Sequence, residues 1–222
     1  MPVKKTIGCL HAHHSNIGHI DRALSELGAE LLHYVDPGLV RRVSQGTAIR
    51  PADALRRVKD ELEWIGGSGA DAILVNCTQY MAALGNDPPS TAVPVVGIDE
   101  PFFESVCGFE GSQLLLFTNR ATVDGTMARL RSYSRASGRQ PDVEARVLDG
   151  LFGLVMSGEL ERHDRELSER IREQAASEPG RRLSVAQLSM TSAADRVGSE
   201  LGIPVGHALK SLVARMKETL RR

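Results

Sequence analysis

Cysteine is scarce in this chain, and the scarcity settles several questions at once. Only Cys9, Cys77 and Cys107 occur in 222 residues. An odd, sparse set excludes a disulfide framework. No Cys-x-x-Cys pair is present, so a zinc ribbon or a thioredoxin-type site has nothing to stand on. Charge of one sign is lacking too: the formal net charge of -1 gives no general pull toward nucleic acid or an anionic membrane. There is no helix-turn-helix pattern or basic stripe. No apolar run reaches the roughly 20 residues that span a bilayer. The start, Met1-Pro-Val-Lys-Lys5, leads into a strand-like segment without the apolar stretch and cleavage site of a signal peptide. These absences predict a cytoplasmic protein with no nucleic-acid or membrane partner, in which a functional cysteine acts singly.

What is present is alternation. Short apolar runs at Thr6–Leu10, Glu30–Tyr34, Asp71–Asn76, Pro94–Ile98, Gln113–Thr118, Val143–Leu148 and Leu183–Leu188 are separated by longer helical patterns. Several are rich in Val, Ile and Leu without strict alternation, as in parallel strands covered on both faces. The segment Pro51–Ile65 has proline in its first turn and stops at Gly66-Gly67, the usual helix signals. The charged stretch from Glu159 to Ala176 reads as a solvated helix with Leu160, Leu167 and Ile171 as its apolar stripe. A last helix from about His207 gathers Leu209, Leu212, Val213, Met216 and Leu220 on one face. The predicted fold class is α/β, built from right-handed βαβ units.

A weak internal repeat divides this pattern. Ala70-Asp-Ala-Ile-Leu-Val-Asn-Cys-Thr-Gln79 precedes Val93-Pro-Val-Val-Gly97, and Arg182-Leu-Ser-Val-Ala-Gln-Leu-Ser-Met-Thr191 precedes Ile203-Pro-Val-Gly206. Each copy reads as strand, polar turn, helix and short proline-led strand, with Cys77-Thr78 set opposite Ser189-Met190. The repeat predicts two related Rossmann-like lobes. Their expected bounds are 1–98, joined by the C-terminal helix 207–222, and 99–206. Each lobe carries a polar turn at a strand's carboxyl end, where ligands bind in open α/β sheets.

Three further groups stand at predicted strand ends. Cys77 and Thr78 lie just before a helix, where backbone N–H groups and the helix dipole favour a thiolate. The loop Leu10-His-Ala-His-His-Ser-Asn-Ile17 follows the first strand, and Phe117-Thr-Asn-Arg-Ala-Thr-Val123 follows the mid-chain strand. His11, His13 and His14 are packed within four residues, with no obvious carboxylate or thiol completing a coordination sphere, and no metal is expected. Cys9, Cys107 and His207 read as buried structural residues. Gly66-Gly67-Ser-Gly69 precedes a strand and is a helix exit, not a phosphate loop.

Together these motifs resemble the aspartate/glutamate racemase superfamily, which includes amino-acid and hydantoin racemases, maleate isomerase and arylmalonate decarboxylase. The resemblance covers essentially the whole chain in order and spacing. It implies two pseudo-symmetric lobes with the active site in the cleft between them, no cofactor, and one thiol from each lobe at the substrate carbon. Cys77 would be the acid/base. Ser189 stands where most racemases of the family have their second cysteine, and a hydroxyl is a much weaker acid than a thiol. Asn16 and Ser15 match the Ser-Asn of the maleate isomerase branch and would hold a substrate carboxylate. Thr78, Thr118, Asn119, Thr122 and Met190 would line the same site, with His11 supplying a proton or positive charge. The implied partner is a small carboxylate-bearing substrate, an amino acid, hydantoin or diacid, and the family habit is a homodimer. Three readings stay open: a racemase or epimerase, a lyase or cis–trans isomerase using Cys77 alone, and a non-catalytic carboxylate-binding relative.

Overall fold

A computed structural model describes residues 4–44, 49–85, 87, 89 and 91–221. Met1, Pro2 and Val3 of the start lie outside them. The chain divides into two compact units, Met1–Pro101 with Leu212–Arg222, and Phe102–Ser211.

The first unit alternates strands and helices: β1 (Thr6–His11), α1 (Ile17–Leu24), β2 (Glu30–Val35), α2 (Gly38–Ser44), α3 (Pro51–Gly67), β3 (Ala72–Asn76), α4 (Thr78–Leu84) and β4 (Val95–Gly97). The strands form one parallel sheet in the order β2-β1-β3-β4. Period-two side chains then decide the layers. Leu10, Ile73 and Val75 point to the face covered by Val58, Leu62 and Ile65 of α3 and Tyr80 and Leu84 of α4. Ile7, Cys9 and His11 point to the other face, and all three are fully buried.

The second unit repeats the plan. After α5 (Glu100–Cys107) come β5 (Ser112–Phe117), α6 (Val123–Ala136), β6 (Asp142–Val147), α7 (Leu151–Met156), α8 (Leu160–Ser177), β7 (Arg182–Val185), α9 (Thr191–Leu201) and β8 (Gly206–His207). Helix α10 (Ala208–Thr219) follows. The sheet is again parallel, in the order β6-β5-β7-β8. Leu114 and Leu116 pack with Leu167 and Ile171 of α8 and Val197 of α9. Leu115 and Phe117 face the opposite way, onto Phe102, Phe103 and Leu130. Two four-stranded parallel sheets flanked by helices realise the predicted α/β class. Among the described residues no helix is long and apolar enough to cross a membrane.

Two expectations are corrected. The run Leu183–Leu188 is strand only as far as Val185; Leu188–Met190 forms a 3-10 turn. In α8, Leu160 is exposed at the first turn, and His163 joins Leu167 and Ile171 on the buried face. The i, i+4, i+8 spacing from His163 selects that stripe better than the apolar count did.

Two predictions follow from this packing. A methyl group at Gly8 would overlap Cγ2 of Ile65, a rigid β-branched side chain in the core. Gly8→Ala should lower unfolding stability by about 1–3 kcal/mol, measured by urea denaturation. Burial holds His163 below the usual histidine range, against the opposing pull of Asp164 and Glu166. Its folded pKa lies below the unfolded one, so its contribution is intact above about pH 6.5 and is lost as pH falls below that. His163→Gln should therefore flatten the drop in melting temperature between pH 7 and pH 5.

Candidate active site

The parallel register brings the candidate residues to the carboxyl ends of the strands. β1 pairs His11 with Asn76 of β3, so the first loop and the Cys77 turn leave the sheet side by side. Cys77 is the N-cap of α4, with extended backbone at φ -155 and ψ 118. Its carbonyl accepts the N–H of Met81, which starts the helix. The thiol is half-buried and Thr78 is exposed. Two residues on, Gln79 has a buried amide oxygen with no hydrogen-bond partner among the described residues.

The first loop and the loop after β5 are built alike. His13 Nδ1 accepts the N–H of Ser15 at 3.2 Å, and the Ser15 hydroxyl donates to the same nitrogen at 2.8 Å. Asn119 Oδ1 accepts the N–H of Ala121 at 3.1 Å. Each residue caps a three-residue 3-10 turn, His14–Asn16 or Arg120–Thr122, which runs directly into α1 or α6. Asn16 and Thr122 are therefore equivalent positions. Asn16 is half-buried and its side chain does not cap α1. The Thr122 hydroxyl donates to the Asn119 carbonyl at 2.8 Å.

The three neighbouring histidines separate. His13 and His14 are exposed, with ring centroids 4.3 Å apart. His11 turns into the interior, where Asn76 Nδ2 donates to its Nδ1 at 3.1 Å. That bond leaves Nε2 as the protonated nitrogen, and it donates to His33 Nδ1 at 2.9 Å. His33 Nε2–H in turn donates to Asp21 Oδ1 at 2.9 Å. Burial, with His33 adding to it, holds the His11 pKa down at about 4. Both ring nitrogens of His11 are engaged inside the unit, in contrast to the exposed rings of His13 and His14.

In the second unit the expected carboxylate holders already have an acceptor. Gln187 Oε1 takes the Thr118 N–H at 2.7 Å, the Thr118 hydroxyl at 2.9 Å and the Asn119 N–H at 3.1 Å. A carboxamide oxygen thus stands where a carboxylate oxygen would be received. Met190 is fully buried, packed in the core with Leu114, Leu183 and Val197. Ser189 is half-buried within the 3-10 turn.

That turn also breaks the repeat. β3 and β7 pair with β1 and β5 so that Val75 faces Leu10 and Val185 faces Leu116. Counted from the sheet, Cys77 corresponds to Gln187. Counted from the helix starts at Thr78 and Thr191, it corresponds to Met190. Ser189 falls between the two counts, because three extra residues lie between strand and helix in the second unit.

Sequence reasoning missed His33, Asp21 and Gln187. The histidine needed the β1–β2 register, which places it beside Cys9. A cavity of about 680 Å³ lies elsewhere in this unit, lined by Asp36, Arg42, Asp53 and Arg57 among others, with Cys77 absent from its walls. Ion pairs of Arg57 with Asp36 and of Arg50 and Arg56 with Asp53 make it a charged, solvated surface.

The Gln187 contacts lead to a prediction. Gln187→Ala leaves one hydroxyl and two backbone N–H groups without their acceptor and should cost about 1–3 kcal/mol of stability. Added malonate should restore part of the loss in thermal melts of the variant and should not stabilise the parent chain to the same degree.

No protein-family model matches the sequence, and no curated protein matches it. Solved structures do. The aspartate racemase of Picrophilus torridus superposes with a TM-score of 0.66 at 12% identity, over 98% of this chain and 94% of that one. The allantoin racemase of Klebsiella pneumoniae gives 0.67 at 18%, over 98% and 88%. Unliganded arylmalonate decarboxylase gives 0.55 at 14%, over 96% and 93%. At these identities the likeness is one of fold.

Proposed function

From the premise that this chain has the fold of the aspartate/glutamate racemase superfamily, we propose that it is a cofactor-independent isomerase. Its substrate would be a small carboxylate-bearing molecule, an amino acid, hydantoin or diacid, racemized or epimerized at an acidic carbon. One observation carries the reading: Cys77 is a half-buried thiol at the N-cap of α4, at the carboxyl end of a central strand. The Cys77 thiolate removes the substrate proton, and the resulting thiol or another acid returns one. Asn16 and Thr78 hold the substrate carboxylate, with Ser15 ordering the first loop. Thr118 and Asn119 would contribute once a carboxylate displaces Gln187, and Thr122 once its hydroxyl turns from the Asn119 carbonyl. Ser189 would be a weakened counterpart of Cys77, its hydroxyl requiring a base to act. A cytoplasmic location and a homodimer belong to the same proposal.

A second reading is favoured by a specific feature. None of the positions that could correspond to Cys77 in the second unit, Gln187, Ser189 and Met190, carries a thiol. One-thiol chemistry suits a carbon–carbon lyase or a cis–trans isomerase better than a two-base racemase.

Incubation in D₂O with a panel of amino acids, hydantoins and substituted diacids, read by mass and chirality, separates these. Deuterium uptake with loss of optical purity supports the racemase, and it should fall at least about 10²-fold in Cys77→Ala. Ser189→Ala should lower the rate by less. Loss of carbon dioxide or a double-bond isomer moves the answer to the second reading. Full turnover in Cys77→Ala would overturn both. Ligand-induced stabilisation without any exchange would identify a carboxylate-binding protein.

A further inference from the structure

The inward-facing side of the first sheet concentrates soft donor atoms. Cys9 and His33 are register partners on β1 and β2, and His11 lies two residues beyond Cys9 on the same face. The Cys9 thiol and one ring nitrogen from each of His11 and His33 lie within 4.8 Å of one another. The two ring nitrogens point at each other across 2.9 Å. Their outer nitrogens are held by Asn76 and by the Asp21 carboxylate. In protein metal sites the ligating nitrogen faces inward while the other donates to a carbonyl or carboxylate, which sets the ring's orientation and basicity. His33 has this arrangement through Asp21, and His11 reaches it when Asn76 presents its amide oxygen.

We propose that Cys9, His11 and His33 form a binding site for a soft divalent transition metal of the zinc class. The donor set, one sulfur and two imidazoles, suits zinc or cobalt and not magnesium or calcium. Tetrahedral bonds of 2.0–2.1 Å to nitrogen require the two ring atoms to stand about 3.3 Å apart, a few tenths of an ångström wider than they are now. Zinc replaces the hydrogen that His11 Nε2 now donates to His33. That hydrogen moves to His11 Nδ1, and Asn76 turns its amide to offer the oxygen. His33 keeps its Nε2–H on Asp21. The Cys9 thiol loses its proton to solvent, so one proton is released per metal bound.

Without a cation, burial, with Asp21 adding to it, pushes the Cys9 thiol up to about 12. A bound cation reverses that preference, as it does for any coordinating thiol. Access runs along the sheet edge. β2 is the edge strand, the His33 side chain is 19% exposed and Asp21 is 52% exposed. Three protein ligands leave the fourth position to water or an added ligand. The site joins β1 to β2 directly and reaches α1 through Asp21, so its first effect is on the stability of this unit. The inference does not depend on the proposed reaction.

The test uses the full chain, stripped with a chelator and titrated with cobalt(II) and zinc(II). Expected are one equivalent of cobalt with a near-ultraviolet thiolate-to-cobalt band, and a melting temperature raised by roughly 5–10 °C at saturating zinc. Cys9→Ser and His33→Asn should each abolish the band, while Cys77→Ser and Cys107→Ser should keep it. The last two hold the test open should the first two fold poorly. Absence of a thiolate band in the parent chain would overturn the site. So would a band lost in Cys77→Ser or Cys107→Ser, or binding that survives Cys9→Ser and disappears in a His13→Ala/His14→Ala double variant.

Discussion

All strands in each sheet run parallel, and much else follows from that constraint. A parallel pair cannot be closed by a hairpin, so every connection crosses back over a face and every strand's carboxyl end opens on the same edge. In the first sheet that edge collects His11, Asp36 and the Asn76-Cys77 step. In the second it collects Phe117-Thr118 and Ala186-Gln187. The chain therefore has few places to put chemistry, and a polar residue following a strand is positioned before any local preference acts.

This explains what the sequence made legible. Apolar runs of five or six residues mark buried strands, and the polar residues that end them mark the loops, so the turns that carry Cys77, Asn16 and Thr118 could be placed without coordinates. The register of one strand against another could not. His33 looks like one residue of a short strand until β2 is aligned with β1, which sets it beside Cys9. His11 looked like a loop residue with its two neighbours, but it is the last residue of β1 and points inward. Gln187 was absorbed into a strand that ends two residues earlier, because an apolar count does not register a side chain that turns back to serve backbone donors.

The two units share a strand order and differ in one local feature. In the first, strand passes to helix through a single residue, Cys77; in the second, a 3-10 turn intervenes. The extra length lets Gln187 reach Thr118 and Asn119 while Met190 drops into the core. A duplicated architecture has thus kept its sheet and altered the turn, the part least restrained by packing. The cost of that freedom is that equivalence between the copies depends on where counting begins.

The division of the chain also bears on the order in which it folds. The second unit is one continuous stretch, Phe102–Ser211, whereas the first is completed by Leu212–Arg222 from beyond it. During synthesis the second unit has all its residues before the first does. Met216, fully buried and belonging to the first unit, is made only after the whole of the second. The first unit is therefore incomplete until the chain beyond Ser211 has been made. In such a chain the discontinuous unit is the one left incomplete longest, and so longest open to misassociation and to chaperones.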